Sequence, residues 1–541
     1  MLFNSFEFIG WFLPGTVAVF FLLGVAGWPK AAMTWLVVAS LFFYGWWNPA
    51  YVPLLVSSIG VNYLIGLSLA RRPSRLLLVA GIAANLLVLG WYKYAAFVFD
   101  SVNLAFGAGL TLPELLLPLA ISFFTFQQIA FLVDANAGLT HEKSLLRYSL
   151  FVCFFPQLIA GPIVHHKEML PQFDRDETFR PSVANLSVGL TVFVIGLFKK
   201  VVIADSVAPL STAMFAGAAT GTEPDMAAAW IGAVAFSIQL YFDFSGYSDM
   251  AIGASRMMGI RLPLNFASPY KAASIIDFWS RWHMTLTRFL TAYVYNPVTM
   301  GLTKRRLKAG LPPLRPKRPG FVPFILLIAW PTFLTMALAG VWHGAGWQFV
   351  LFGVIHGVLL VLNHAWRVLR HAFGIGPERG RPWRPLGVAL TFVAWTVSLV
   401  FFKAESVGHA FTVLEGMAGL NGFVLPHPLT PFTWIADAPA AALYMVARNL
   451  VLDGYLPLLT GAAIVWLMPN TQEWIRDAGI ATTARAVAGP APGTGLARLM
   501  PAGTPEWRPS VPVGLAIGML FAFTLLQAFA TTTSEFLYFT F

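Results

Sequence analysis

The sequence contains few charged residues. Only 11% of its 541 residues are Asp, Glu, Lys or Arg, whereas soluble domains average about 25%. Apolar residues make up 57% of the chain, and the mean hydropathy is +0.69. This composition excludes an ordinary soluble domain. The net charge of +11 comes from Lys and Arg in short loops between apolar blocks, which indicates cytoplasmic loops of a membrane protein and no nucleic-acid partner.

Cysteine is scarce, and neither a histidine metal-binding motif nor a cleavable signal peptide is seen. The single cysteine, Cys153, lies in an apolar stretch, which excludes a disulfide framework and a thiolate metal site. The histidines show no H-E-x-x-H or comparable spacing, so we expect no zinc site. We also expect no bound cofactor. Residues 1–7 carry no positive charge, and no small-residue cleavage site follows them. The first apolar block is therefore predicted to remain as a membrane span.

Apolar residues occur in blocks of about 17 to 25, the length that a helix needs to cross roughly 30 Å of hydrocarbon. They predict an all-α polytopic membrane protein with about eleven to twelve spans. No internal repeat stands out, so we predict one domain over residues 1–541. The predicted spans are Phe8–Ala26, Met33–Trp47, Tyr51–Ala70, Leu76–Val98, Leu115–Val133, Val183–Asp205, Ala227–Met250, a hairpin over Phe321–Trp366, Leu386–Phe402, Leu456–Met468 and Val511–Ala530.

Basic residues orient these spans, because cytoplasmic loops carry an excess of Lys and Arg. The first of them, Lys30, follows the first span, so the N-terminus is predicted outside the cytoplasm. Basic clusters within residues 304–318 and 367–384 bracket the hairpin, whose bend is predicted near Gly340–Trp347. Lys199 and Lys200, near the outer end of their span, conflict with the rule.

Two further apolar segments are interrupted. Leu146–Val164 breaks at Pro156, Gly161 and Pro162 and has basic residues on both sides, and Ile275–Val298 contains Arg281, His283 and Arg288. Irregular backbone at membrane depth is tolerated only inside protein or beside a water-filled cavity. Both segments are therefore predicted to be re-entrant.

His343 is the first candidate catalytic residue. It lies in the predicted hairpin bend between small residues, next to Trp342. An ionisable group at membrane depth tends to mark a reaction site or a pathway, and imidazole exchanges protons near neutral pH, as hydroxyl acylation requires. The alternative is a buried neutral histidine bonded to a backbone carbonyl.

Other polar groups interrupt apolar segments. Asp277, Arg281 and His283 are spaced to lie on neighbouring turns of a helix, where they would pair with one another or face a polar cavity. Alternatively, Asp277 and Arg281 form an i,i+4 interfacial pair. Asp243 and Asp249 lie toward the end of a span without the G-x-S-x-G pattern of a reactive serine, so positioning is their predicted role. His356 is predicted to be a hydrogen-bonded core residue.

Several of these segments resemble motifs of one family, and they occur in its order along the whole chain. They are Met1–Phe8, Ile121–Gln128, Phe155–Ile163, Tyr241–Asp249, Asp277–His283, Val341–Ala345, Met468–Thr471 and the terminal Glu535–Phe541. The chain resembles the membrane-bound O-acyltransferase (MBOAT) family, in its bacterial branch typified by the membrane subunit of alginate O-acetyltransferase.

The resemblance implies a ring of membrane helices around a funnel and tunnel, in the inner membrane of a bacterium. An acyl thioester such as acetyl-CoA would enter from the cytoplasm and meet a hydroxyl acceptor from the other face. His343 matches the family's catalytic histidine and His283 its second membrane histidine. Candidates for lining the funnel are Asp243, Gln127, Arg281, Asp277 and Trp342.

The implied activity is O-acetylation of an alginate-like extracytoplasmic exopolysaccharide, through an SGNH-type partner. Peptidoglycan O-acetylation and teichoic-acid D-alanylation remain alternatives within the family. A non-enzymatic polysaccharide or lipid translocator is the alternative outside it. Such proteins usually show broken helices at matching positions in two halves, and no matching halves are seen here.

Overall fold

A computed structural model describes residues 1–112, 116–312, 314, 319–374, 382–426, 441, 443–446, 454–475, 481, 507–530 and 534–537. Every regular element among these residues is helical, as expected for a chain whose backbone must bond to itself in lipid. Nine helices there are long and apolar enough to cross a membrane: Phe8–Val25, Pro49–Arg71, Arg75–Phe106, Val183–Ala219, Met226–Met257, Phe321–His343, Trp347–Ala372, Arg384–Lys403 and Val511–Ala530.

Shorter helices connect or flank these nine. They are Pro29–Gly45, Ile121–Asn136, Leu145–Cys153, Phe155–Leu158, His166–Met169, Leu170–Asp174, Asp176–Phe179, Pro269–Lys271, Ile275–Trp279, Met284–Leu290, Thr291–Tyr295, Asn296–Lys308, Val407–Met417, Tyr455–Leu467 and Thr471–Trp474.

The predicted polytopic all-α class is confirmed. Nine predicted spans correspond to the nine long apolar helices. Three others correspond to helices of 13 to 17 residues, Pro29–Gly45, Ile121–Asn136 and Tyr455–Leu467. Neither interrupted segment contains a helix among the nine candidate spans, and their re-entrant path stays a prediction. Residues 113–115, 315–318 and 375–381, which carry parts of the predicted span at Leu115 and of the basic loops, lie outside the described residues.

The chain divides into two compact units. One comprises residues 1–200, 244–265 and 471–541, and the other comprises residues 201–243 and 266–470. The helix Met226–Met257 contributes its first part to the second unit and its last part to the first. The single-domain prediction stays a prediction.

In the second unit, the predicted hairpin is present. The helix that ends at His343 and the helix that begins at Trp347 are joined by three residues, 344–346. Glycine permits their close approach: a Cβ atom on Gly340 would lie 2.5 Å from the carbonyl oxygen of Phe349 and 2.7 Å from the Cα atom of Gly353. Small residues of this kind let membrane helices pack backbone against backbone.

We expect Gly340→Ala to destabilise the hairpin. The clashing atoms belong to the backbone of the facing helix and cannot move aside as a side chain would, so overpacking should cost about 1–3 kcal/mol. The measurement is the melting temperature of the detergent-purified protein. Gly60→Ala is the matched control, because a Cβ atom there meets nothing within 4 Å; equal melting temperatures for the two variants would contradict the packing described.

In the first unit, the structure explains why Lys199 and Lys200 break the charge rule. Both are buried, in a π-helical stretch over Lys199–Ala204. The Lys199 ammonium donates to Asp249 Oδ2 at 2.6 Å and to Thr471 Oγ1 at 2.9 Å. The Lys200 ammonium donates to the Glu535 carbonyl at 3.0 Å and lies 4.8 Å from the centre of the Phe536 ring. The rule concerns charges in loops, whereas these two ammonium groups are bonded inside the protein.

Candidate active site

His343 is the last residue of the helix Trp330–His343, and Gly344 continues it in extended conformation with φ −164°. The predicted position of His343 at the hairpin bend is therefore confirmed. Its side chain is buried, with 6% of the residue exposed. Three rings pack around the imidazole: Trp342 at 5.0 Å between ring centroids, Phe402 at 5.3 Å and Phe352 at 6.0 Å. This apolar surrounding excludes water from most of the imidazole surface and strengthens any electrostatic interaction made there.

His283 lies beside the same indole, with its ring centroid 6.2 Å from that of Trp342. It is 1% exposed, so its imidazole is enclosed by the protein. Its backbone is left-handed, with φ 43° and ψ 52°. Strained backbone of this kind clusters at functional sites. Trp342 thus contacts two buried histidines that lie 60 residues apart in the chain.

The segment that carries His283 is anchored by its tryptophans. Trp282 packs against Trp395 with centroids 4.7 Å apart. Trp279 donates from its indole nitrogen to Nδ1 of His356 at 3.2 Å. His283 is therefore held between one indole packed in the core and the first turn of the helix Met284–Leu290.

His356 is a hydrogen-bonded core residue, as predicted. Its Nδ1 accepts from Trp279, and its Nε2 lies 2.9 Å from the Ser398 hydroxyl. Ser398 donates in turn to the carbonyl of Trp395 at 2.7 Å. These partners fix the neutral tautomer with the proton on Nε2, so both ring nitrogens are engaged in structural bonds.

The expectation that Asp277, Arg281 and His283 share one helix is wrong. The helix Ile275–Trp279 ends before Arg281, and the left-handed His283 begins the next helix. Asp277 and Arg281 form the alternative i,i+4 ion pair, with 2.7 Å between Arg281 Nε and Asp277 Oδ1. This pair is partly exposed, while His283 is buried.

The remaining predicted site residues are buried but lie in other places. Asp243 is 2% exposed on the helix Met226–Met257, and Gln127 is 4% exposed on the helix Ile121–Asn136. Asp243 belongs to the unit that holds the two histidines, and Gln127 belongs to the other. Asp249 is engaged by Lys199, as described above. The roles predicted for Asp243 and Gln127 stay predictions.

The model of the MBOAT, or membrane-bound O-acyltransferase, family matches residues 140–311. The chain is 33% identical to the probable alginate O-acetylase AlgI of Pseudomonas aeruginosa, over 100% of both proteins. It is also 42% identical to the peptidoglycan O-acetyltransferase of Helicobacter pylori, over 79% of this chain and 81% of that protein. The chain belongs to the membrane-bound O-acyltransferase family.

This MBOAT protein is therefore an acyltransferase and a multi-pass membrane protein. A more distant relative, the teichoic acid D-alanyltransferase of Bacillus subtilis, is 29% identical over 45% of this chain and 58% of that protein. The relatives' names describe transfer of an acetyl group to peptidoglycan or alginate, or of a D-alanyl group to teichoic acid.

Sequence reasoning missed several groups around the site of this acyltransferase. Phe352 and Phe402 contact His343, and Tyr270 accepts from the Trp395 indole at 3.1 Å. Phe352 precedes His356 by one helical turn, which is a local signal for a shared face. No local signal relates Phe402 to His343, because the two are brought together only by packing of separate helices.

A second polar cluster was also missed, in the unit without the candidate catalytic histidines. Asp134, His165 and His166 meet there, although the spacing of histidines in the sequence predicted no metal site. Burial lowers the pKa of His166, and its hydrogen bond to Asp134 opposes that shift. The consecutive histidines follow the predicted re-entrant segment, and Asp134 lies near the end of the helix Ile121–Asn136.

Proposed function

We propose that this acyltransferase moves an acetyl group from a cytoplasmic thioester, acetyl-CoA, across the membrane for O-acetylation of an extracytoplasmic polysaccharide. The main observation in its support is that two buried imidazoles, those of His343 and His283, both pack against the indole ring of Trp342. Membership of a family whose relatives are named as polymer O-acetylases supports acetyl as the transferred group.

In the proposed reaction, His343 acts as the general base. Its imidazole takes the proton of the attacking hydroxyl while the oxygen bonds to the thioester carbonyl carbon. The carbon–sulfur bond then breaks, and the thiolate leaves and receives the proton. General acid–base catalysis of this kind contributes about 10² to 10⁴ in rate. A neutral imidazole offers one donor and one acceptor, so the proposed role of His283 is to orient the acceptor or the thioester.

The first proposed acceptor is an alginate-like exopolysaccharide, reached through an extracytoplasmic SGNH-type partner. Similarity to the probable alginate O-acetylase over the full length of both chains supports it. Peptidoglycan is the second candidate, supported by the higher identity of 42% to the Helicobacter pylori peptidoglycan O-acetyltransferase. Teichoic-acid D-alanylation has less support, because that relative matches 45% of this chain. We also propose that the protein lies in the inner membrane, with its N-terminus outside the cytoplasm.

Deletion of the protein is expected to lower the O-acetyl content of one polymer and to leave the other unchanged. The measurement is ester-linked acetate released by mild base from purified exopolysaccharide and from purified peptidoglycan, in cells with and without the protein. Restoring the wild-type chain should restore the acetate, and restoring His343→Ala at equal membrane abundance should not. Unchanged acetate in both polymers would contradict the proposed function.

A further inference from the structure

Three side chains of ligand type converge near the end of the helix Ile121–Asn136. Asp134 Oδ2 lies 2.8 Å from Nε2 of His165 and 2.9 Å from Nε2 of His166. One ligand atom from each residue lies within 4.8 Å of the other two. All three residues belong to the same compact unit.

The cluster is largely enclosed but open on one side. Asp134 and His166 are buried, whereas 27% of the His165 side chain is exposed. The rings of Phe131 and Phe151 meet the His166 imidazole edge-on, at 5.8 and 6.2 Å between centroids. Two ligand atoms are therefore enclosed, with aromatic rings around one of them, and the third belongs to a partly exposed side chain.

We propose that Asp134, His165 and His166 bind a divalent zinc ion. Two imidazole nitrogens and one carboxylate oxygen form a ligand set that zinc accepts, with its fourth tetrahedral position left to water or another group. The zinc ion would join the end of the helix Ile121–Asn136 to the segment that follows the predicted re-entrant stretch. The proposed zinc site does not depend on the proposed acetyl transfer.

A hydrogen-bonded cluster without metal is the competing arrangement. Nδ1 of His165 accepts the backbone N–H of Lys167 at 3.3 Å, which puts the proton on Nε2. Zinc bound to Nε2 would shift the imidazole proton to Nδ1. Nδ1 could then no longer accept the Lys167 N–H, so this hydrogen bond, which caps the helix His166–Met169, would be lost. It is one long hydrogen bond of a capping box at the start of a four-residue helix, and a zinc–ligand bond is stronger than a bond of that kind. The other bond of the box, from the His165 backbone N–H to Glu168 Oε2 at 3.4 Å, does not involve the imidazole and would remain.

The test is the zinc content of the full-length protein, purified in detergent through an affinity tag that contains no histidine. The protein is equilibrated with zinc chloride, separated from free metal by gel filtration and analysed by mass spectrometry of the elements. We expect close to one zinc ion per chain in the wild type and loss of most of that zinc in His165→Ala, which retains only two of the three ligands. His165 is the residue to change because its exposure makes the fold least dependent on it.

His141→Ala is the matched control, since His141 is an exposed histidine of the same unit and its removal should leave the zinc content unchanged. Cobalt provides a second measurement, because tetrahedral cobalt absorbs visible light and the band should vanish in His165→Ala. Wild-type protein that retains no more zinc than His165→Ala, or none above the protein-free buffer, would overturn the proposal and leave the hydrogen-bonded cluster.

Discussion

Replacement of His343 by alanine is expected to abolish acetyl transfer and to leave the protein folded in the membrane. His343 is the base in the proposed reaction, and its removal should lower the rate by about 10² to 10⁴. The fold should persist because the hairpin is held by the backbone contact of Gly340 with Gly353 and by the helices that flank it. Alanine also suits the last helical position.

The measurement is the initial rate of acetyl transfer from labelled acetyl-CoA in membranes that contain equal amounts of each variant. His371→Ala is the control, because His371 is an exposed histidine on the second helix of the same hairpin. We expect the control to match the wild type. A His343→Ala rate within a few-fold of the wild type, at equal abundance, would assign the proton transfer to another group.

Lys199→Ala is expected to cause the largest loss of stability. Lys199, Asp249 and Thr471 form a buried triangle, in which the Thr471 hydroxyl donates to Asp249 Oδ2 at 2.7 Å. Removing the ammonium leaves a buried carboxylate without its charge partner, and breaking a buried ion pair in this way costs about 3–5 kcal/mol. The melting temperature of the detergent-purified protein measures the effect.

An exposed ion pair provides the contrast. Arg147 and Asp174 are 24% and 58% exposed in their side chains, so Asp174→Asn should cost at most about 1 kcal/mol. Combining Lys199→Met with Asp249→Leu should recover much of the loss, because no charge is then left unpaired. A melting temperature for Lys199→Ala equal to that of Asp174→Asn would show that the buried pair does not hold this unit together.

Much of the fold could be predicted because the bilayer imposes a length on apolar blocks. The span at Val511–Ala530 and the hairpin with its bend at residues 344–346 follow from local hydropathy, charge and glycine content. The position of His343 at that bend follows from the same information. Each of these features depends on residues close together in the sequence.

The features that were missed depend on contacts between distant segments. Phe402 meets His343, Lys199 meets Asp249 and Thr471, and Asp134 meets the consecutive histidines only after the helices pack. The break at His283 was missed for a different reason. Glycine or asparagine usually marks a left-handed backbone conformation, but here the left-handed residue is a histidine. The helical spacing of His283 to Asp277 was therefore misleading.

In the proposed function, the protein transfers an acetyl group from a thioester on one side of the membrane to an acceptor on the other, with His343 as the base. Inside-out membrane vesicles from the native host, supplied with labelled acetyl-CoA outside, test it most directly. We predict release of free thiol outside, together with label on base-labile esters of polymer inside, for the wild type and not for His343→Ala. Labelled polymer in equal amounts from both proteins, or polymer movement without thiol release, would contradict the account.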